Sequence, residues 1–476
     1  MQRDIYGYPL STESEKAAEA FEKAVSSYIA WRTDTMDHIK SATEADPGFA
    51  LPYAFKGILI MGLRKPELRD AAQQQLAAAK RARKPDTERE QRYIAGLEAA
   101  IDGRIAEAVT HYEAIANSNP LDLLALRLSQ FELFWIGEVA WMRDISERAA
   151  PAWESTPPNL GAYLAIRAFS LEENGAYAEA ERLGRKAIEL NPSDSWAAHA
   201  VAHVLIMQGR LRDGIDWCSG LSRNWAAANH IRHHNWWHLA LFHIEARSYG
   251  DALAIYDRQL RDESSPLLKA IPDFYVDIQN DVALLQRLEL RGVDVGNRWS
   301  DVAELAAARI GNHCSPFTSA HCALGLAAAG RLNEAEDLVR NMHAFVAEDR
   351  GTLGPRYALA AIPAAEASIA YRKRDHERVL ALIMPARRNL WQMGGSHAQR
   401  DLFFQILADS ARRLERKDVL ALLFEEIQSV GFEHLHERSS YADAFSSAGR
   451  RREPDPGYSL GGRHERISKR STEAKL

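Results

Sequence analysis

The sequence predicts an all-α protein folded as one long solenoid of helical hairpins. Three observations lead to this prediction. Alanine, leucine, glutamate and arginine, which all favour helices, dominate the chain, and β-branched runs are few. Small residues and glycines recur with a period of 34 residues, which is typical of repeat proteins. The 476 residues also exceed the usual size of a single compact domain.

The clearest repeat unit runs from residue 161 to residue 194. Small residues on its two predicted helices allow close packing, and a glycine ends the first helix where a positive φ is needed. The residues that mark the unit are Ala168, Gly175, Ala180, Ala187 and Pro192. Their spacing is that of the tetratricopeptide repeat.

Further units with related spacing follow one another along the chain. In chain order, their marker residues are Pro47, Gly57, Gly96, Ala108, Pro120, Ala202, Gly209, Gly214, Ala240, Ala252, Ala323, Gly330 and Ala335. Two weaker helical pairs are predicted within residues 357–427, and insertions interrupt the period at Pro151–Asn159 and Glu263–Pro272. We expect about ten helical pairs over residues 1–448, stacked as one right-handed superhelix whose first helices line a concave groove.

Residues 449–476 are basic, rich in glycine and serine and aperiodic, which predicts a disordered tail. The final Ala-Lys-Leu resembles a peroxisomal address of the Ser-Lys-Leu type, but we interpret it as a chance ending.

The formal charge of −6 argues against a nucleic-acid or acidic-membrane partner. No apolar run reaches the roughly 18 residues that span a bilayer, and the start MQRDIYGYPL lacks the pattern of a secretory leader. Cys218, Cys314 and Cys322 have no CxxC spacing, which fits a reducing compartment. We therefore expect a cytoplasmic protein that partners a small molecule or another protein, without membrane or nucleic acid.

Histidines crowd the middle of the chain, where residues 195–245 hold seven of the 17. They are His199, His203, His230, His233, His234, His238 and His243. The first two are four residues apart on one predicted helix and so share a face, and the next predicted helix repeats this spacing.

The repeat register predicts which side chains face the groove. Those expected there are Phe169, Glu172, Glu173, Trp196, His199, His203, His234, Trp237 and His238. The same register predicts that His230, His233 and His243 do not face the groove. The sequence thus predicts a groove centre lined by imidazoles, indoles and carboxylates, with Glu172, Glu173, Trp196, Trp237 and His238 as ligand-binding residues.

Two histidines four residues apart on a helix chelate one metal ion in many proteins. The segment HAVAH lacks the glutamate of a zinc protease, because Ala200 stands in its place. A set of His199, His203 and Glu172, or Glu173 instead, predicts an iron, manganese or zinc site with open positions.

Without a metal ion, the neutral histidines His199, His203 and His234 are candidate catalytic bases near pH 7. The alternative is that these rings only pack and hydrogen-bond inside the solenoid. For Asp277 and Asp281, also four residues apart, we favour a structural role.

The segment GGSHAQRD predicts a turn followed by a helix N-cap. His397, Arg400 and Asp401 follow the cap, and a helix start flanked by these side chains predicts an anion- or ligand-binding site. A purely structural cap with an Arg–Asp pair is the alternative.

Several motifs together resemble the tetratricopeptide repeat protein 38 family, also grouped as StaR-like proteins. They are AFSLEENGAYAEAE, DSWAAHAVAHVLIMQGRLRDGIDW, HHNWWHLALFHIE followed by ALAIYDRQL, LLQRLELRGVDVGNRW and GGSHAQRDLF. The resemblance runs from about residue 4 to residue 427. It implies a soluble helical-repeat protein with a suspected enzymatic role and no settled activity. The matching polar positions are His199, His203, His234, Asn235, Trp236, Trp237, His238, His397, Gln399, Arg400 and Asp401.

Two hypotheses of function follow. In the first, the central groove binds a small molecule or a divalent metal ion, and the protein is an enzyme of unassigned reaction. In the second, the protein is a scaffold that holds a partner's peptide in an open groove. A weaker third is self-association through an exposed repeat face. An enclosed pocket with convergent polar groups would favour the first hypothesis.

Overall fold

The computed structural model describes residues 1–82, 87–429 and 438–447. The tail predicted to be disordered, with its final Ala-Lys-Leu, lies outside these residues. Apart from a short hairpin of β1 (Gln2–Arg3) and β2 (Pro9–Leu10), the described chain is helical. Its helices are α1 (Glu15–Ile29), α2 (Thr35–Ala45), α3 (Ala50–Gly62), α4 (Arg69–Arg81), α5 (Glu88–Ile101), α6 (Ile105–Ser118), α7 (Leu123–Trp135), α8 (Val139–Ala149), α9 (Leu160–Glu172), α10 (Tyr177–Leu190), α11 (Ser195–Met207), α12 (Leu211–Leu221), α13 (Ile231–Glu245), α14 (Tyr249–Ile255), α15 (Pro266–Ala270), α16 (Tyr275–Leu290), α17 (Trp299–Ala307), α18 (Pro316–Ala328), α19 (Leu332–Glu348), α20 (Gly354–Arg356), α21 (Ile362–Arg372), α22 (His376–Ala386), α23 (His397–Arg413), α24 (Lys417–Ser429) and α25 (Ser439–Ser447).

Consecutive helices pack as hairpins, and the hairpins stack in sequence order. The pairs are α1–α2, α3–α4, α5–α6, α7–α8, α9–α10, α11–α12, α13–α14, α16–α17, α18–α19, α21–α22 and α23–α24. The chain is therefore an all-α helical-repeat solenoid, as the sequence predicts. The predicted insertion at Glu263–Pro272 contains the short helix α15.

The spaced small residues allow neighbouring helices to approach closely. Ala168 and Ala187 are completely buried, and a Cβ atom on Gly184 would lie only 2.6 Å from Val201. Gly175 and Gly209 end first helices with φ values of +78° and +68°, a conformation that other residues adopt at a cost. The sequence markers thus have direct structural reasons.

First and second helices differ in how they are buried. All 13 residues of α11 are buried, and α16, α18 and α23 are nearly as enclosed. The second helix α10, in contrast, buries a single stripe of four residues. The first helices therefore form the interior of the molecule, and the second helices form its outer layer.

The solenoid closes on itself, because residues near positions 103–138 contact residues near positions 350–394. The backbone N–H of Thr352 donates to the carbonyl of Gly103 at 2.9 Å, and Arg356 forms an ion pair with Glu138 at 2.8 Å. The groove expected from the repeats is consequently an enclosed interior. Within the described ranges, no helix combines the length and apolarity needed to span a lipid bilayer.

Candidate functional site

Four histidines meet in the interior of the solenoid. His199 and His203 project from α11, and His234 and His238 project from α13. Their ring centroids lie 4.3 to 5.0 Å apart for five of the six pairs. One nitrogen atom from each ring falls within a group whose members are all within 4.8 Å of one another. We call these four residues the histidine cluster.

Most ring nitrogens of the histidine cluster make no hydrogen bond to the described residues. This holds for both nitrogens of His199, His203 and His238, whose side chains are at most 2% exposed. A buried polar atom without a partner costs about 1–3 kcal/mol, so native proteins keep few of them. Such a concentration at one place makes the histidine cluster the candidate functional site.

The surroundings of His234 fix how its ring is oriented. Nδ1 of His234 lies 2.8 Å from Oδ1 of Asn280, an oxygen that only accepts hydrogen bonds. His234 therefore carries its proton on Nδ1, and its Nε2 holds the lone pair. Nδ1 of His203 lies 3.4 Å from a carboxylate oxygen of Glu172. Outer partners of this kind orient histidine ligands in metal sites.

All four histidines are held neutral by their environment. Burial lowers the pKa of His203 to about 4 and that of His234 to about 3. Burial also lowers the pKa values of His199 and His238 well below the usual value, and the neighbouring cluster histidines add to this. Near neutral pH, each ring therefore has an unprotonated nitrogen, as a metal ligand requires.

Glu172 and Glu173 lie at the end of α9 beside His203 and are 0% and 2% exposed. Burial raises the pKa of each carboxyl group to about 8. The predicted metal set of His199, His203 and Glu172 is divided here between two groups. Glu172, Glu173 and His203 form one group, and His203 also belongs to the histidine cluster with His199.

The residues present suit a divalent transition metal ion. Imidazole nitrogens are good ligands for zinc and iron, and carboxylates widen the range to manganese. The histidine cluster would supply the nitrogen ligands. Glu172 and Glu173, which lie beside His203, would supply negative charge near the ion.

The cap of α23 is directed at this same centre. Ser396 and Gln399 form a capping box, which satisfies the first N–H groups of the helix. The backbone N–H of His397 lies 3.4 Å from Oε1 of Glu173, and a guanidinium nitrogen of Arg400 lies 4.0 Å from Oε2. The position of the predicted anion site is thus taken by the carboxyl group of Glu173 from the chain itself.

Asp401 does not join the predicted site. Its carboxylate accepts hydrogen bonds from Arg438, Tyr441 and Gln405 and takes part in a separate buried network. The physical reason is helical geometry, since one residue after Arg400 the side chain points about 100° away around the helix. The structure therefore does not support Asp401 as a ligand-binding residue of the histidine cluster.

A cavity of about 410 Å³ adjoins the histidine cluster. Its lining includes His199, His230, His234 and Gln399 at the inner end. Trp196 also lines it and stacks on His199, with ring centroids 4.6 Å apart. The volume is in the range of small-molecule sites. Trp237, predicted as a second groove tryptophan, packs against His234 but is not among the cavity-lining residues.

His230 departs from its sequence prediction, because it lines the cavity instead of pointing elsewhere. Its Nδ1 lies 2.6 Å from Oδ2 of Asp277, and Nδ1 of His233 lies 3.0 Å from the same oxygen. Burial would raise the pKa of Asp277, but the two histidines bring it well below the ordinary value. The repeat register failed here because His230 precedes α13 and does not follow its helical periodicity.

Sequence reasoning missed two groups that shape the site. Asn280 sets the His234 tautomer, and its only signal was its place in the polar run of α16 after Asp277. Trp31 stacks on Trp196 with ring centroids 5.1 Å apart. It comes from the loop after α1, far from the histidines in sequence, so no local pattern indicated it.

A larger cavity of about 590 Å³ lies near the N-terminal segment. The charged side chains Asp4, Arg89 and Asp122 line it, and Arg89 pairs with both carboxylates at 2.6 and 3.1 Å. Its lining contains no member of the histidine cluster, and we do not assign it as the functional site.

No protein-family model matches the chain. Among solved structures, the chain is similar to an IFIT1 monomeric mutant with Gppp-AAAA, at 14% identity, 94% coverage of this chain, 97% of that chain and a TM-score of 0.40. It is also similar to Naa15/Naa10 bound to HypK-THB, at 12% identity, 93% and 69% coverage and a TM-score of 0.24. Fold and site define a helical-repeat protein with an enclosed histidine-rich centre.

Proposed function

We propose that this protein binds a divalent metal ion, iron, manganese or zinc, between the four histidines and presents it to a small molecule in the adjoining cavity. The observation that carries the proposal is the set of unpartnered ring nitrogens on His199, His203 and His238. Their burial makes them costly in any role that leaves them without a partner.

Electrostatics support a cation at this place. Four neutral imidazoles offer lone pairs without repelling a positive charge. Glu172 and Glu173 hold their protons at neutral pH because burial raises their pKa values to about 8. A bound cation would favour their ionised forms, and their negative charge would offset part of its own.

The cavity would hold a small molecule next to the metal ion. A metal ion held by nitrogen ligands supplies Lewis acidity to a molecule beside it. His199 and His234 belong to both the cluster and the cavity wall, so a molecule in the cavity would lie next to the ion. His230, held by Asp277, would orient such a molecule by hydrogen bonding. This arrangement supports an enzyme more than a store of metal.

The scaffold hypothesis requires an open groove for a peptide. The first helices pack against one another in the interior instead, as the complete burial of α11 illustrates. This enclosure favours a small molecule over a partner's peptide.

We further propose membership of the tetratricopeptide repeat protein 38 family. The motifs that carry this resemblance lie far apart in sequence, yet their polar residues meet at one place. His203, Glu173, His397 and Arg400 form a continuous chain of contacts from α11 through the end of α9 to the start of α23.

The metal content of the full-length protein, produced without a histidine tag, tests the proposal. Chelator-treated protein is reconstituted separately with Fe(II) under anaerobic conditions, Mn(II) and Zn(II), and the bound metal is quantified. We expect about one ion per chain for at least one metal. We expect a loss of at least tenfold in affinity in His199→Gln combined with His238→Gln.

His243→Gln provides the matched control. His243 lies on the same helix as His234 and His238 but is half-buried and outside the cluster. Its replacement should leave metal binding unchanged. Binding below one ion per ten chains for all three metals would overturn the proposal, and so would equal affinities of the cluster and control variants.

A further inference from the structure

The cavity beside the histidine cluster has walls that are largely apolar. They consist mostly of aromatic and aliphatic side chains contributed by helices from α1 to α16 and by the loops between them. They include Trp31, Ile58, Phe131, Trp135, Trp196 and Phe274. Such walls favour apolar groups of a ligand, since these leave water on binding.

Formal charges are scarce along the cavity. Among the lining residues other than histidines, only Arg32 and Glu132 carry a charged side chain at neutral pH. Glu132 is already paired with Arg64 at 2.5 Å. Arg32 is exposed, as are the neighbouring lining residues Thr33 and Met36, so this loop forms the entrance. A charged ligand group would find no counter-charge deep in the cavity, and its burial would be costly.

The inner end differs from the walls because it carries hydrogen-bonding groups. Asp277 engages Nδ1 of His230 at 2.6 Å, and the ionised carboxylate can only accept, so the proton of His230 is on Nδ1. Its Nε2 is left to form a hydrogen bond with a molecule in the cavity. His199 lines the same end and makes no hydrogen bond to the described residues. This end therefore offers hydrogen-bonding nitrogens to a hydroxyl group, which both donates and accepts.

From these three features we infer that the cavity takes an uncharged, largely apolar small molecule with a single hydroxyl group, which forms a hydrogen bond with Nε2 of His230. The inference rests on the proposed function in that it takes this cavity as the small-molecule site. It adds the chemical class of the ligand and the orientation of the ligand within the cavity. The apolar body fills the aromatic part, and the hydroxyl group reaches the histidines.

A matched series of aromatic probes tests the ligand class. 1-Naphthol, naphthalene, 1-naphthalenesulfonate and 1-naphthylmethylammonium have the same ring system and differ in charge and hydrogen bonding. Their binding to the full-length protein at pH 7 is measured by equilibrium dialysis. We expect 1-naphthol to bind at least tenfold more tightly than either charged probe and more tightly than naphthalene.

Two variants test whether 1-naphthol binds in this cavity. Gly62 lines the cavity at the end of α3, and a Cβ atom there meets no other atom within 4 Å. Gly62→Leu should therefore fold normally and weaken 1-naphthol binding at least fivefold, and Leu59→Trp, at another lining position, should do the same. Gly220→Leu is the control, because Gly220 has equally open space on α12 but lies outside the cavity.

His230→Phe tests the hydroxyl contact. We expect this variant to bind 1-naphthol and naphthalene equally, because the hydrogen-bonding nitrogen is gone while the apolar walls remain. Comparable affinities for neutral and charged probes in the wild type would overturn the inference, as would unchanged 1-naphthol binding in both Gly62→Leu and Leu59→Trp.

The assays also separate this inference from the metal proposal, because every titration is run on chelator-treated and on metal-loaded protein. Selective 1-naphthol binding without any metal binding would overturn the metal site and support the ligand class. Metal binding without selectivity among the probes would overturn only the ligand class.

Discussion

Nδ1 of His234 lies 2.8 Å from the side-chain oxygen of Asn280, and this contact joins the histidine cluster to α16. The amide oxygen holds the imidazole in one tautomer, with the lone pair on Nε2. Asn280 is only 1% exposed and lies one helical turn from Asp277, which holds His230 in the same way. One face of α16 therefore orients two cavity histidines, His234 on α13 and His230 just before that helix.

Replacement of Asn280 should weaken metal binding without removing a ligand. In Asn280→Ala the ring of His234 is free to rotate and to change tautomer, so we expect a loss of about 10–100-fold in metal affinity. Competition with a chromogenic chelator measures this loss. Gln279→Ala is the control, because Gln279 is equally buried on the same helix but bonds to Thr318. Equal affinities of the two variants would refute the role of Asn280.

The stability of metal-free protein should depend on the charge of Glu172. Burial raises the folded-state pKa of Glu172 from 4.5 to about 8. The folded state therefore binds this proton more tightly than the unfolded state, and stability falls as pH rises from about 4.5 to 8. Glu172→Gln removes this dependence, so the variant should gain up to about 3 kcal/mol on wild type between pH 5 and pH 8.

Urea unfolding of chelator-treated protein at pH 5, 6.5 and 8 measures this effect. Glu189→Gln serves as the control, since Glu189 is an exposed residue of α10. A stability difference between Glu172→Gln and wild type that stays constant over this pH range would contradict the prediction.

Close packing between repeats should make Gly214 irreplaceable. A Cβ atom at this position would overlap the ring of Phe242 on α13. We expect Gly214→Ala to lower the free energy of unfolding by about 1–3 kcal/mol through overpacking. On the same helix, Gly220→Ala should raise it by up to about 1 kcal/mol, because Gly220 has open space and alanine favours helices. Denaturant titrations distinguish these opposite signs.

The buried network around Arg438 should be needed to hold α25 in place. Arg438 forms ion pairs with Glu245 at 2.9 Å and with Asp401 at 2.8 Å. Burial would raise the pKa values of both carboxyl groups, but Arg438 brings them below their ordinary values. Because the folded-state pKa values are depressed, the stability they contribute is present at neutral pH and is lost as pH falls through them.

Arg438→Met leaves two buried carboxylates without their counter-charge, and we expect a loss of about 3–5 kcal/mol at pH 7. The loss should shrink near pH 4, where the carboxyl groups of the variant take up protons. Arg412→Met is the control, because Arg412 pairs with Asp409 while about a third exposed and should cost less than about 1 kcal/mol. Unfolding at both pH values tests the prediction, which fails if the loss is the same at each.

The repeat architecture could be predicted from the sequence because it depends on local rules. Positions such as Ala168, Gly175 and Ala187 must be small or must adopt a positive φ, and those requirements recur with each hairpin. The i, i+4 spacing on α11 also predicts that His199 and His203 share a face. These features reflect contacts between neighbouring repeats.

Closure of the solenoid and the details of the site could not be predicted in this way. Contacts such as Thr352 with Gly103, or Trp31 with Trp196, join residues more than 150 positions apart. They depend on the accumulated curvature of many repeats, which no short pattern encodes. Asp401 is a further example within a single motif. Arg400 approaches Glu173, whereas the next residue, Asp401, faces Arg438.

The ion pair of Arg356 with Glu138 and the Thr352–Gly103 hydrogen bond have a consequence for how the molecule unfolds. An open repeat array loses stability from its ends, because each repeat touches only its neighbours. In this chain the third and fourth hairpins contact the segment between the ninth and tenth hairpins, so opening of one region removes contacts from the other. Unfolding should therefore be cooperative over most of the chain, and a ligand bound at the centre should raise the melting temperature of both halves together.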